Sequence, residues 1–188
     1  MKKKEINVFD YASDILDELK KGVLVTTRVG DKINSMTISW GMLGIDWAMP
    51  VFITFIRTGR FTHEMLRGNP RFTVNIPRGG ASAHSILAFC GTQSGRDCDK
   101  VARLGLTPVW PDAAGAPAPD AVPAIAQLPL TLECRVVYSQ LQNDAAIPQH
   151  VKDRFYPAAA PGTAAGANQD YHTVFYGEIE RAYILEED

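Results

Sequence analysis

Cysteine is scarce in this 188-residue chain. Cys90, Cys98 and Cys134 form no CxxC pair, and an odd number does not suggest a disulfide framework. Reduced thiols of a cytoplasmic protein are the expectation. The four histidines (His63, His84, His150, His172) lie far apart, and no pair has zinc-ligand spacing, so a metal centre has little support. The longest apolar runs are strand-sized, which leaves nothing to span a bilayer as a helix. Met1-Lys2-Lys3-Lys4-Glu5 is basic, but a charged helix-like segment follows it in place of the apolar core of a secretory signal. Neither sign of charge dominates. A net charge of −2 gives no electrostatic reason to expect nucleic acid or an anionic membrane as partner. Also missing are GxGxxG after a strand, GxxxxGK[ST], GxSxG and HExxH. Dinucleotide, P-loop, serine-elbow and zincin chemistries therefore find no foothold.

What is there suits one globular domain over residues 1–188, with 46% hydrophobic and 21% charged residues. Asp10 is placed to cap a helix running to Lys20 or Lys21, with Tyr11, Ile15, Leu16 and Leu19 on one face and Gly22 as its stop. Gly22 to Arg28 and Ile33 to Trp40 are β-rich and flank Val29-Gly30-Asp31-Lys32, which predicts a hairpin. A loop with Gly41, Gly44, Asp46 and Pro50 follows, then a buried strand over Val51–Ile56. Thr62 is placed to cap a short helix from His63 to about Arg67. Arg71 to Pro77 alternates as a strand. Ala81–Phe89 is helical in character, and Asp97 is placed to cap a further helix through Leu104.

Thr107–Pro129 carries six prolines and is read as a loop or flap. Leu130–Leu141 is a strand, Ile147–Pro157 a short segment, and the Ala/Gly/Pro stretch Ala158–Ala167 is expected to be mobile. Tyr171–Leu185 closes as one or two β runs, broken or bulged at Gly177. About seven strands in consecutive runs favour a mainly β, antiparallel barrel or sheet with peripheral helices over a doubly wound fold.

Three segments carry the chemistry. In Asn34-Ser35-Met36-Thr37-Ile38-Ser39-Trp40-Gly41, Ile33, Ser35, Thr37 and Ser39 share one face of the strand, and Asn34, Met36, Ile38 and Trp40 share the other. A row of small hydroxyls offers a ligand donors and acceptors close to the backbone. In Arg57-Thr58-Gly59-Arg60-Phe61-Thr62-His63-Glu64, two arginines adjoin a helix start, where free N–H groups and partial positive charge attract anions. Glu64 opposes that by neutralising the helix end itself. In Ser94-Gly95-Arg96-Asp97-Cys98-Asp99-Lys100, a turn precedes another helix start, a candidate anion nest. Taken singly, each has a plain alternative: a solvated strand face, a routine strand–turn–helix, and a helix–turn–helix link.

Taken in order, these segments resemble the flavin reductase-like, FMN-binding split-barrel family. The Ser94–Lys100 stretch is similar to that of its flavoredoxin-like members, and Tyr171-His-Thr-Val-Phe-Tyr-Gly-Glu-Ile179 resembles its last strand. The resemblance covers roughly residues 22–104 and 171 onward. It implies an antiparallel split β-barrel, a homodimer, and FMN near the subunit interface. Carried over by motif, Asn34, Ser35, Met36, Thr37, Ser39 and Trp40 border the ring and ribityl chain. Arg57, Arg60, Phe61 and Thr62 hold the phosphate, and Ser94, Gly95, Arg96 and Lys100 complete the site, Lys100 as a phosphate or ring-edge contact. The hydride chemistry belongs to the flavin, so no catalytic side chain is implied. The implied function is an NAD(P)H-dependent flavin reductase delivering electrons to a flavin, metal complex or other acceptor. The alternatives are a flavoredoxin-type carrier serving a redox partner protein, and a domain that has lost the cofactor.

Overall fold

Ten strands and five α-helices are seen in a computed structural model that describes residues 1–79, 81–111, 117–157 and 169–186. The Ala/Gly/Pro stretch expected to be mobile lies outside the described residues, apart from its neighbours Pro157 and Gln169. In chain order the elements are β1 (Lys2–Glu5), α1 (Ala12–Lys21), β2 (Val23–Val29), β3 (Lys32–Ile38), β4 (Gly41–Asp46), β5 (Met49–Arg57) and α2 (Phe61–Gly68). Then come β6 (Arg71–Ile76), α3 (Ala81–Thr92), α4 (Lys100–Leu104), β7 (Pro108–Val109), β8 (Ala124–Ile125), β9 (Leu130–Leu141), α5 (Gln149–Phe155) and β10 (His172–Glu186).

The main sheet has the order β3-β2-β6-β9-β10-β5-β4, with β1 on the far half of β10, and every pairing is antiparallel. Its two outer strands, β3 and β4, are consecutive in the chain. Only Ser39 and Trp40 join them, so Ile38 and Gly41 lie within about 11 Å of each other. A sheet whose ends are tied that closely must roll up. Because β3 and β4 share no ladder, the barrel stays split, and Trp40 sits in the split. The mainly β split barrel with peripheral helices is therefore the observed architecture.

Strand alternation sends side chains to two cores. Val23 and Val25 of β2 join Ile15, Leu19, Ile38, Phe52, Ile56, Phe72, Val74 and Leu132 in one. Leu24, between them, joins Ile86, Cys90, Leu106, Ile125 and Leu128 in a second, beneath α3 and α4. At β3 this face carries the hydroxyl row, in which Ser35 is buried, Thr37 half-buried and Ser39 exposed. Thr26 Oγ1 donates to Asn75 Oδ1 (2.8 Å) and lies 2.9 Å from Ser35 Oγ, while Thr37 Oγ1 donates to the Leu87 carbonyl (2.6 Å).

Several expected boundaries shift. Asp10 does not cap α1: it lies in a 3-10 turn, Val8–Tyr11, capped by Asn7, and α1 starts after Tyr11. Thr62 lies inside α2, whose N-cap is Arg60. Asp99, not Asp97, caps α4, accepting from the Ala102 N–H at 3.0 Å. The loop expected after Trp40 is strand β4, which pairs with β5 through a turn holding Trp47 (φ 48°) and Ala48 (φ 59°). Two positive φ values suit a tight hairpin turn, usually with Asn or Gly in those places. The proline-rich stretch contains a small ribbon, β7 with β8. β10 is one strand with a register shift at Tyr176/Gly177, the bulge expected there.

Candidate functional site

A cleft of about 580 Å³ opens where the start of α2, the end of α3, the Ser94–Lys100 segment and the end of β3 converge on the mouths of β5 and β10. Every site residue inferred from the sequence lines it except Ser35. Ser35 is fully buried. With the Thr26 proton on Asn75, the Ser35 hydroxyl donates to Thr26 and faces away from the cleft. Its backbone still serves the site, because the Ser35 carbonyl accepts from Lys100 Nζ at 2.9 Å.

Four cations reach the cleft, and they are not equivalent. Arg57 Nη1 donates to the Asp170 carbonyl (2.6 Å) and Nη2 to the Phe155 carbonyl (2.9 Å), with the guanidinium 4.9 Å from the centre of the Tyr156 ring. Arg96 donates to the Gly59 carbonyl and to Glu64, each at 3.0 Å, and its backbone N–H goes to Ser94 Oγ at 3.2 Å. The Ser94–Arg96 turn thus braces α2 and is not a second open anion nest.

The other two cations keep donors to spare. Among the described residues the Arg60 guanidinium has no acceptor. It sits at the N-cap of α2, whose first N–H groups lack intrahelical partners by construction. Lys100 is 3% exposed, and Nζ donates to the Ser35 and Cys90 carbonyls at 2.9 and 3.0 Å. Burial pulls its pKa below the usual lysine value, and Arg60 adds to the effect. A third proton on that ammonium has no carboxylate in reach among the described residues. A buried cation in that state is costly until an anion arrives. Thr62 Oγ1 accepts from Asn34 Nδ2 (2.9 Å) and keeps its own proton to donate.

Around Arg57 the border is aromatic. Trp40 meets Phe155 edge-on (centroids 5.2 Å apart) and leans on His172 (5.0 Å). Tyr156 Oη donates to Gln142 Oε1 at 3.0 Å and lies 2.8 Å from His172 Nδ1. With the Tyr156 proton on Gln142, Nδ1–H is the donor and Nε2 is left as the acceptor of a neutral ring. Burial first, then Arg57, pushes the His172 pKa down to about 4. Cys90 also lines the cleft. Burial raises its thiol to about 11 against the pull of Lys100, so it is no thiolate nucleophile at neutral pH.

At Asn34 and Gly95 the wall is tightly fitted. A Cβ on Gly95 would stand 2.0 Å from Asn34 Oδ1 and 3.0 Å from the Phe61 ring, so only glycine lets this turn close on β3. Asn34 Oδ1 is itself buried without a partner, a polar atom in the cleft wall awaiting a donor. A cationic cradle, an unpaired amide oxygen and a flat aromatic border fit FMN, which has one terminal phosphate, a hydroxylated ribityl chain and a planar ring. In that fit Arg60, Lys100, Thr62 and the start of α2 hold the phosphate, Asn34 meets the chain, and Ser39 and Trp40 border the ring.

Sequence reasoning missed Asp170, His172, Gly59 and Phe55, all of which line the cleft. Asp170 and His172 arrive from more than a hundred residues away through the pairing of His172 with Arg57. Periodicity carries no record of that register. The motif resemblance extended to His172, which was the only signal available.

Residues 19–188 match the model of the flavin reductase like domain. No curated protein sequence matches the chain. Among solved structures, flavoredoxin from Methanosarcina acetivorans superposes with a TM-score of 0.61 at 22% identity, over 88% of this chain and 68% of that one. Flavoredoxin of Desulfovibrio vulgaris (Miyazaki F) gives 0.60 at 22% identity, over 88% and 69%. Nitrilotriacetate monooxygenase component B from Bacillus cereus gives 0.62 at 12% identity, over 97% and 79%. These likenesses concern the fold. Together with the match along nearly the whole chain, they mean that this protein belongs to the flavin reductase-like domain family.

Proposed function

We propose that the protein binds FMN and works as a flavin reductase-like oxidoreductase, taking electrons from NADH or NADPH and passing them to a flavin, a metal complex or another acceptor. One observation carries the reading. The N-cap of α2 and the start of α4 bring Arg60 and Lys100, each with a donor to spare, to one cleft that Trp40 borders. Bound FMN would supply the hydride-accepting ring, and the chain supplies binding and electrostatics. Fixed donors and the Lys100 charge favour negative charge on the ligand. The aromatic border keeps water from one edge of it. His172 stays neutral at working pH and offers Nε2 as an acceptor, with no acid–base duty required.

The test is a visible spectrum of the purified protein, then anaerobic addition of each nicotinamide nucleotide. A yellow protein that releases FMN on denaturation and bleaches with NADH or NADPH is expected. Colourless protein that takes up no added FMN would remove the cofactor from the account. Bound FMN that bleaches with neither nucleotide favours the carrier reading, in which a redox partner protein reduces the flavin.

A homodimer belongs to the same proposal. β4 is an edge strand with no lysine or proline guarding it. Met42, Ile45, Trp47 and Leu141 are each more than half exposed, and Trp47 reaches toward Tyr138 and Tyr176. Such an apolar edge, adjoining the split that holds Trp40, suits a second copy of this chain.

A further inference from the structure

The carboxylate of Asp170 is spent on a turn far from it in sequence. Asp170 lies two residues before β10, and its Oδ2 accepts from the Gly59 N–H at 2.6 Å and from Thr58 Oγ1 at 3.3 Å. Those are the two residues between Arg57 and Arg60. The same connection is doubled by backbone, since the Thr58 N–H donates to the Tyr171 carbonyl at 3.1 Å. Gly59 makes the approach possible: a Cβ there would come within 3.1 Å of Oδ2. Immediately after this turn stands Arg60, the N-cap of α2 and the one cleft arginine with an uncommitted guanidinium.

We infer that Asp170 is the positioning residue of the anion cradle, an inference that rests on the FMN reading above. Its carboxylate ties down the Thr58–Gly59 turn and so fixes the direction in which Arg60 and the first N–H groups of α2 face the cleft. A charge-assisted bond of 2.6 Å to a backbone N–H is a strong anchor. The turn's other bonds, Arg60 N–H to the Arg57 carbonyl (3.0 Å), Thr58 N–H to the Tyr171 carbonyl (3.1 Å) and Arg96 to the Gly59 carbonyl (3.0 Å), leave the Gly59 N–H and the Thr58 hydroxyl to Asp170 alone. The opposite role is also chemically coherent. A resident carboxylate in a cationic cleft competes with an incoming phosphate. The two roles predict opposite effects of removing it.

Asp170→Ala removes the carboxylate but leaves the backbone carbonyl that holds Arg57, so the substitution isolates the turn. Asp170→Asn keeps an oxygen that accepts from Gly59 and Thr58 while discarding the charge. The measurement is equilibrium binding of FMN and of riboflavin, which lacks the phosphate, to wild type and both variants. Asp170→Ala should weaken FMN on the order of tenfold or more and leave riboflavin nearly unchanged, and Asp170→Asn should recover most of the loss.

FMN affinity unchanged or tightened in Asp170→Ala would overturn the inference, as would an equal fall for both flavins, which marks a general loss of structure. Wild-type protein that binds neither flavin would sink the FMN reading instead. Inorganic phosphate then still decides the matter. Its titration should shift the amide resonances of Gly59 to Thr62 in wild type and Asp170→Asn, but not in Asp170→Ala. Equal shifts in all three would reject the role.

Discussion

At the scale of single residues, the site divides cations that are spent on the protein from cations held for a ligand. Arg60→Ala should weaken FMN binding by about 1–3 kcal/mol, the value of a charge-assisted hydrogen bond. The check is a fluorescence titration, and unchanged affinity would take Arg60 out of the site. Arg57, equally prominent in the sequence, holds Phe155 and Asp170 instead. Gly95→Ala should weaken FMN and also lower stability, because its new methyl would lie 2.0 Å from the buried Asn34 Oδ1; an FMN titration beside a urea midpoint checks both.

His172 makes a pH prediction. Its folded pKa, about 4, lies below the ordinary value of 6.5. Above both values the two states are equally neutral. Between them the unfolded chain binds a proton that the folded chain refuses, so stability falls as pH drops through 6.5 and levels off below 4. Urea midpoints for wild type and His172→Gln should therefore diverge, with wild type losing about 2 to 3 kcal/mol more than the variant between pH 7 and 4.5. Parallel curves would mean that the ring is solvated. What proved legible is which residues meet at the cleft, as at Arg60 and Gly95, while the capping role read for Thr62 did not hold. The placement failed at Ser35, because strand alternation states that Ser35 and Thr37 share a face but not that α3 and α4 cover it.

At the scale of elements, most strands and helices followed from alternation and punctuation, and the errors lay at helix starts and at one edge. A helix may begin at any of several polar residues in a row, and tertiary partners choose among them. Thr62 is claimed by Asn34, which leaves the cap to Arg60. β4 reads as a loop because of its two glycines. Gly41 is in fact required by packing, since a Cβ there would lie 3.0 Å from both the Ile53 carbonyl and the Phe52 ring. The bulge in β10 has the same basis. Gly177 lies against Phe72, and an added Cβ would come within 2.5 Å of Cζ and 3.0 Å of Cys134 Cβ. Phe72 is buried and has nowhere to retreat. Gly177→Ala is expected to destabilise the barrel by about 1–3 kcal/mol, the usual cost of overpacking. Chemical denaturation checks this, and a variant as stable as wild type would show that the bulge has slack.

At the scale of the whole molecule, the class of fold could be read from consecutive strands, whereas the strand order could not. Neighbours such as β6 with β9 and β5 with β10 are far apart in sequence, and no local pattern records them. The proposed dimer is the prediction belonging here. Light scattering at micromolar concentration should give twice 20.6 kDa for wild type. Ile45→Arg, which places a charge at a position 70% exposed, should give the monomer without loss of fold. A wild-type monomer would leave the apolar edge of β4 for a different partner.

β10 pairs with β9 along most of its length, with β5 on the other side of its first half, and with β1 beyond that. This arrangement also sets when the cleft can come into being during biosynthesis. Asn34, Arg60 and Lys100 leave the ribosome well before Asp170 and His172. A nascent chain that stops short of β10 has a gap between β5 and β9, and its Thr58–Gly59 turn lacks the bonds to Asp170 and Tyr171. The cradle therefore cannot mature step by step as its own residues emerge. It is complete only when β10 has paired with both β5 and β9, so a ligand meets the whole cradle only after that pairing.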